Sequence, residues 1–232
     1  LRPAGERGVT RSSRLAGAGR IVAIAAMLGA LIGAPASAIA AEVEPEGDPV
    51  RAAEYWLDEY GVRTAWTTTK GAGVRIAVID SGVDAAHPDL AGQIQLQENF
   101  VDIPPAAAEA HGTAVAGIIA ARAGNGIGIA GVAPNARVQA LRACWPNGAG
   151  ATTCNSFTLG KALNFAIMNG AKVINLSLSG PGDRLLETLL DTAGVRGMVV
   201  VGAADPGRAD GGFPASYPGV IAVAMADGGR AP

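Results

Sequence analysis

The sequence is poor in aromatic residues, in histidine and in cysteine. Only 4% of its 232 residues are aromatic, whereas 49% are hydrophobic and 33 are glycine. This composition excludes a disordered chain, because there is enough apolar surface to form a core. It favours a tightly packed α/β protein of small residues, and the length allows one such domain plus a short additional segment.

Basic residues are scarce outside the first 41 residues. Residues 1–41 carry five Arg and one Glu, a net charge of +4, and the other 13 basic and 19 acidic residues give −6. An acidic body without a basic stripe excludes nucleic acid as the expected partner.

The basic N-terminus has the pattern of a secretory signal. Five Arg precede an uncharged run at 21–34, and the small residues Ala36-Ser37-Ala38 follow Pro35. We expect residues 1–41 to be a cleaved signal peptide. An uncleaved membrane anchor at 21–41 is the alternative, because about 20 residues are enough to span a bilayer. In both cases the protein is expected to be exported, secreted or periplasmic, with membrane contact only through this segment.

Only two cysteines are present, Cys144 and Cys154. In an exported protein an even number of cysteines predicts a disulfide. A metal site would need more ligands nearby, and the sequence has neither a second cysteine pair nor a histidine close to this one. The loop that such a bond closes is short, so its expected contribution to stability is roughly 2–3 kcal/mol.

An apolar run at 74–79 predicts a strand that is buried on both faces of a parallel sheet. Further strands are predicted at 136–142, 173–178, 198–203 and 220–225, and helices at 111–122, 156–169 and 183–196. This alternation predicts an α/β fold, a doubly wound, mostly parallel sheet with helices on both faces. Residues 42–70 are expected to be a linker, acidic up to residue 52, followed by a helical lead-in that ends near Gly61.

A carboxylate and an imidazole stand at the ends of two predicted elements. Asp80 ends the first strand, and His111 opens a helix of small residues. Ligands of open α/β sheets bind at the carboxyl ends of strands, although an aspartate there can equally cap a turn. Together the two residues can supply two members of a nucleophilic triad.

The motif D-S-G-V-D from Asp80 and the motif H-G-T-A-V-A-G from His111 resemble those of the subtilisin-like serine proteases. The resemblance covers residues 55–225. It implies an exported serine endopeptidase that acts on peptides or proteins, with Asp80 and His111 as catalytic residues.

The family's nucleophile motif, Gly-Thr-Ser, is absent from the 232 residues. The resemblance therefore implies that residues 71–232 are a catalytic domain truncated before its serine, with a fold that is incomplete at the C-terminus. We expect this segment itself to be inactive. A non-catalytic subtilisin-like peptide-binding module is the alternative.

The resemblance also assigns substrate-binding positions. Ser177, Leu178 and Ser179 correspond to an edge to which an extended peptide adds as a strand. Ser179 and Ala204 stand where the family usually has glycine, which implies a narrow pocket for small or slender side chains. Asp205 stands where an asparagine donates to the oxyanion. An ionised aspartate cannot donate a hydrogen bond to the oxyanion. We therefore expect one of three things: a protonated Asp205, a slow enzyme, or a site that has lost its catalytic activity.

The glycine-rich loop at 125–134 contains G-I-G-I-A-G. This segment matches the G-x-G-x-x-G consensus of dinucleotide-binding loops. That interpretation is excluded, because the fingerprint needs a strand before it and a helix after it, and the predicted order here is the reverse. In the subtilisin-like family such a loop wraps a structural calcium. The implied ligands are the side chains of Asp89 and Asn125 and the carbonyls of Ala123, Ile127 and Ile129. Oxygen donors suit a hard cation, whereas a tight turn alone also explains the glycines; the chemistry itself needs no cofactor.

Overall fold

The computed structural model describes residues 48, 50–104, 110–147 and 152–225. The expected signal segment at 1–41 lies outside these residues. Among the helices that the structure describes, none has the length and the apolar composition needed to cross a bilayer.

A parallel sheet forms the centre of the described part of the chain. The strands are β1 (Arg75–Asp80), β2 (Ile94–Asn99), β3 (Arg137–Arg142), β4 (Cys144–Pro146), β5 (Thr152–Cys154), β6 (Val173–Leu176), β7 (Val199–Ala203) and β8 (Val220–Val223). Six of them pair in the order β2-β3-β1-β6-β7-β8, and each neighbouring pair is parallel. The strands β4 and β5 form a separate antiparallel hairpin.

Helices precede and connect these strands. They are α1 (Trp56–Glu59), α2 (Val62–Trp66), α3 (Ala110–Ala120), α4 (Ser156–Met168) and α5 (Arg184–Val195). The side chain of Asn155 caps α4 by accepting the N–H of Thr158, and that of Asp183 caps α5 by accepting from Leu185 and Leu186. Such caps satisfy N–H groups that a helix leaves unpaired at its start.

The two faces of the sheet are covered by different helices. Ala77 and Ile79 of β1 pack in one cluster with α4 and α5, whereas Val78 packs in another with α3. Because successive side chains of a strand point to opposite faces, Asp80 shares the face of Val78 and of α3. The predicted doubly wound α/β architecture is therefore confirmed.

The sequence prediction misses β2 and the β4–β5 hairpin. The edge strand β2 has partly buried side chains only at Ile94 and Leu96, alternating with exposed ones, so it has no continuous apolar run. Two predicted strands also end earlier than expected. The strand at 173–178 ends at Leu176, and the strand at 220–225 ends at Val223.

The lead-in before β1 packs against the glycine-rich loop. Asp48 accepts the N–H groups of Gly124 and Gly126, each at 3.0 Å, and Glu54 accepts that of Ala130 at 2.9 Å. Burial raises the pKa of the Glu54 carboxyl. Asp48 and Glu54 of the expected linker and lead-in are thus bound to the loop, because their buried carboxylates satisfy its backbone donors. The expected helix that ends near Gly61 is α1, and a second short helix, α2, follows Gly61, whose φ is 65°.

Candidate active site

The end of β1 and the start of α3 bring Asp80 and His111 together. Nδ1 of His111 lies 2.7 Å from Oδ1 of Asp80. The Asp80 side chain is 5% exposed, whereas that of His111 is 55% exposed. Because an ionised carboxylate only accepts hydrogen bonds, this contact favours the imidazole tautomer with its proton on Nδ1. Nε2 is then the basic nitrogen.

Neighbouring backbone fixes the position of the carboxylate. The N–H of Ser81 donates to Oδ1 of Asp80 at 2.7 Å. Gly112 lets the first turn of α3 approach the strand end, since a Cβ there would overlap the carbonyl oxygen of Gly82 and lie 3.2 Å from Oδ1 of Asp80. A larger residue at position 112 would force His111 away from Asp80.

Arg142 supports the same strand end, a role that the sequence analysis misses. It is the β3 partner of Asp80 and is 5% exposed. Its Nε donates to the carbonyl of Ser81 at 3.2 Å, and its Nη1 donates to Oδ1 of Asn99 at 3.1 Å and to the carbonyl of Ile103 at 2.7 Å. The sequence feature that could have indicated this role is a charged residue at the end of a buried strand, because arginine is seldom fully buried without partners.

A cavity of about 590 Å³ lies beside the two side chains. The cavity is lined by Asp80, by His111 and by the predicted substrate segment at 177–179. The other lining residues come from the hairpin, α4, α5 and the loops after β6 and β7: Cys144, Thr152, Cys154, Asn155, Ser156, Leu159, Leu163, Leu176, Gly180, Pro181, Leu186, Leu190, Phe213 and Pro214. Ligand sites in proteins have volumes of this order and a similarly apolar lining.

The substrate segment at 177–179 begins where β6 leaves the sheet. At its start, Oγ of Ser177 accepts a hydrogen bond from Nδ2 of Asn175 at 2.8 Å. At its end, Gly180 exchanges two backbone hydrogen bonds with Phe213, at 2.8 and 3.1 Å. The segment is therefore held at both ends along the wall of the cavity.

Ala204 and Asp205 follow β7 and are not part of the lining of this cavity. The N–H of Asp205 donates to the carbonyl of Gly211 at 2.8 Å, and Oδ1 of Asp205 accepts the N–H of Gly207 at 2.8 Å. The Asp205 carboxylate thus accepts a hydrogen bond from the backbone of the turn that it begins. The structure brings Asp80, His111 and the predicted substrate segment together, and it gives the Asp205 carboxylate a backbone partner in the neighbouring turn.

The predicted disulfide between Cys144 and Cys154 is present, with an S–S distance of 2.03 Å. The two residues face each other across the β4–β5 hairpin, and both line the cavity. The bond therefore fixes a part of the cavity wall.

The candidate calcium loop is folded around Asp89, which is 4% exposed. Oδ2 of Asp89 accepts the N–H of Ile129 at 2.9 Å, and Oδ1 accepts from Nδ2 of Asn125 at 3.0 Å. Oδ1 of Asn125 accepts the N–H of Ile127 at 3.2 Å. A Cβ on Gly128 would overlap the carboxylate of Asp89, so the glycine is needed for this close approach.

The donor types of this loop fit calcium, which takes carboxylate, amide and carbonyl oxygens. The buried carboxylate of Asp48 reaches the same loop through Gly124 and Gly126, and the sequence analysis did not include it. Within the described ranges, no group of three or more His, Cys, Asp or Glu side chains is placed to hold a metal ion. A cation bound by Asp89 would therefore also depend on the Asn125 amide and on backbone oxygens.

Comparison with known proteins relates the chain to serine proteases, in agreement with the contact between Asp80 and His111. The model of the subtilase family matches residues 71–231. The chain is 45% identical over 168 residues to a thermophilic serine proteinase from Bacillus sp. (strain AK1), covering 70% of this chain and 41% of that protein. It is 41% identical over 167 residues to thermitase from Thermoactinomyces vulgaris, covering 70% and 58%. It is 40% identical over 162 residues to subtilisin E from Bacillus subtilis (strain 168), covering 66% and 41%.

The chain spans between 41% and 58% of the length of these three relatives. The family match covers the parallel sheet, the Asp80–His111 pair and the segment at 177–179. The chain therefore belongs to the subtilase family, the subtilisin-like serine proteases that its motifs resemble.

Proposed function

We propose that this chain supplies the acid–base pair and part of the substrate cleft of an exported serine endopeptidase. The observation that carries the proposal is the 2.7 Å contact between Nδ1 of His111 and Oδ1 of Asp80, at the edge of a cavity that Ser177–Ser179 also line. The nucleophile is a serine outside these 232 residues, so that the chain alone is inactive.

In the proposed mechanism, Nε2 of His111 takes the proton of the serine hydroxyl as the serine oxygen attacks the peptide carbonyl carbon. The imidazolium then gives this proton to the leaving amine, and a water molecule releases the acyl group by the same steps. Asp80 holds the tautomer of the imidazole and stabilises its positive charge. A buried carboxylate beside an exposed ring suits these roles, because only the ring has to reach the substrate.

The proposed substrates are peptides or proteins in extended conformation. Residues 177–179 leave the sheet and line the cavity, so that a peptide strand can lie along them. Export is proposed from the basic and apolar pattern of residues 1–41. A retained anchor at 21–41 is the alternative to signal cleavage.

Reaction with a serine-directed fluorophosphonate tests the proposal. A longer form of the protein with a Gly-Thr-Ser or Gly-Ser-Ser element after residue 232 is expected to be labelled at that serine, because His111 activates it. The 232-residue chain is the matched control and is expected to remain unlabelled. A longer protein that does not react, or a reading frame that stops at residue 232, would contradict the endopeptidase.

A non-catalytic peptide-binding module is the second candidate, and Asp205 favours it. The family's oxyanion donor is replaced there by a carboxylate that accepts the N–H of Gly207. Peptide binding by a longer protein that fluorophosphonate does not label would support this candidate over the enzyme.

We also propose that the loop around Asp89 takes a structural calcium ion. An ion that binds only the folded state, at about 100 times its dissociation constant, raises the free energy of unfolding by about 2.7 kcal/mol. Thermal unfolding of the chain with calcium and with a chelator measures the effect. Magnesium at the same concentration is the control, because it demands a stricter octahedral geometry. Equal midpoints with calcium and chelator would exclude the site.

A further inference from the structure

The turn between β7 and β8 lies between the two predicted walls of the specificity pocket, Ser179 and Ala204. A Cβ on Gly211 would lie 3.6 Å from Cβ of Ala204, and a Cβ on Gly212 would overlap Oγ of Ser179. Gly211 and Gly212 therefore span the space that separates the walls. Their φ angles of 75° and 70° are in the left-handed region that favours glycine.

The side chain of Arg208 occupies the same place. A Cβ on Gly212 would lie 3.0 Å from Cδ and 3.4 Å from Nε of Arg208. The aliphatic part of Arg208 thus covers Gly212, next to the hydroxyl of Ser179.

Arg208 forms an exposed ion pair with Asp210, whose side chain is 57% exposed against 47% for that of Arg208. Its Nε donates to Oδ1 of Asp210 at 3.1 Å and its Nη2 donates to Oδ2 at 3.2 Å. Oδ1 of Asp210 also accepts the N–H of Gly212 at 3.0 Å. The hydrogen bonds to Asp210, and then its charge and that of Asp205, raise the pKa of the Arg208 guanidinium.

We propose that Arg208 closes the primary specificity pocket, so that the protease cleaves after glycine, alanine or serine in preference to larger residues. The inference deepens the proposed function and rests on it. A bulky side chain before the cut bond has to displace the Arg208 stem from Gly212, whereas a methyl or hydroxymethyl group does not. An acidic side chain gains little from Arg208, because Asp205 and Asp210 carry two negative charges beside it.

Two peptides that differ only in the residue before the cut bond, alanine or phenylalanine, test the inference on the longer enzyme. Arg208→Ala is expected to raise kcat/KM for the phenylalanine peptide by about 10-fold or more, because space for a few methylene groups changes selectivity by this order. The alanine peptide is expected to change by less than about two-fold. Arg208→Lys keeps a long stem and a charge, so it is expected to keep most of the preference for alanine.

Binding measurements on the longer protein, with its nucleophilic serine replaced by alanine, need no catalysis and separate the two proposals. Peptide amides that end in alanine or phenylalanine serve as probes, and Arg208→Ala is expected to tighten binding of the phenylalanine amide alone. An unchanged ratio between the two probes, or equal weakening of both, overturns the inference whatever fluorophosphonate shows. Failure of the longer enzyme to react with fluorophosphonate, with the binding ratio shifted as expected, overturns the catalytic proposal only.

Discussion

Replacing Asp80 with asparagine is expected to lower kcat of the proposed endopeptidase by about 10⁴-fold, the magnitude known for this change in another serine protease with an Asp-His-Ser triad. The amide keeps the shape of the side chain but removes the negative charge that stabilises the imidazolium. It also no longer selects the tautomer with the proton on Nδ1 of His111, which lies 2.7 Å from Oδ1. Steady-state kinetics on the alanine peptide measure the loss. KM is expected to change little, because Asp80 is 5% exposed.

Asp84 offers a matched control four residues further on. Its Oδ1 accepts the N–H of Ala86 at 2.9 Å, and its own N–H donates to Oγ1 of Thr113 at 2.8 Å. Asparagine at position 84 retains both contacts, so kcat is expected to stay within about two-fold of the parent enzyme. Full activity of Asp80→Asn, or equal losses in the two variants, would show that Asp80 is not the partner of the catalytic imidazole.

The strands that the sequence predicts are those with a run of apolar residues, including the edge strand β8 with its exposed side chains. Apart from charged residues at their ends, the strands β1, β3, β6 and β7 contain at most one polar residue each, and all four lie inside the sheet. The strand β2 lies at an edge, where polar side chains interrupt the pattern. The hairpin strands β4 and β5 have three residues each, too few to show a period of two.

The contact between Asp80 and His111 is predictable for a related reason. Asp80 and His111 stand at the termini of two strongly patterned elements, and parallel topology places such termini at one edge of the sheet. Asp48 and Arg208 act through contacts that no local pattern encodes. Asp48 reaches Gly126, 78 residues away, and Arg208 covers Gly212 only because of the conformation of one turn.

Asp205→Asn is expected to raise kcat of the proposed endopeptidase by about 10²–10³-fold at neutral pH. This magnitude is the reverse of the loss measured in a subtilisin when its oxyanion asparagine is removed. Asparagine can keep the hydrogen bond in which Oδ1 accepts the N–H of Gly207 at 2.8 Å. Its Nδ2 can then donate a hydrogen bond to the oxyanion, whereas an ionised carboxylate at this position can only accept hydrogen bonds. Kinetics on the alanine peptide, in parallel with fluorophosphonate labelling, measure the gain in the acylation step.

Asp210→Asn is the control that separates this donor from charge alone. It removes one negative charge from the same turn, but its side chain pairs with Arg208 rather than standing at the oxyanion position. We expect a change of less than about three-fold on the alanine peptide, because exposed charges interact weakly through water. Equal increases in kcat for Asp205→Asn and Asp210→Asn would mean that the turn affects the reaction only through its negative charge. No gain in Asp205→Asn would mean that an ionised carboxylate at position 205 does not limit this enzyme.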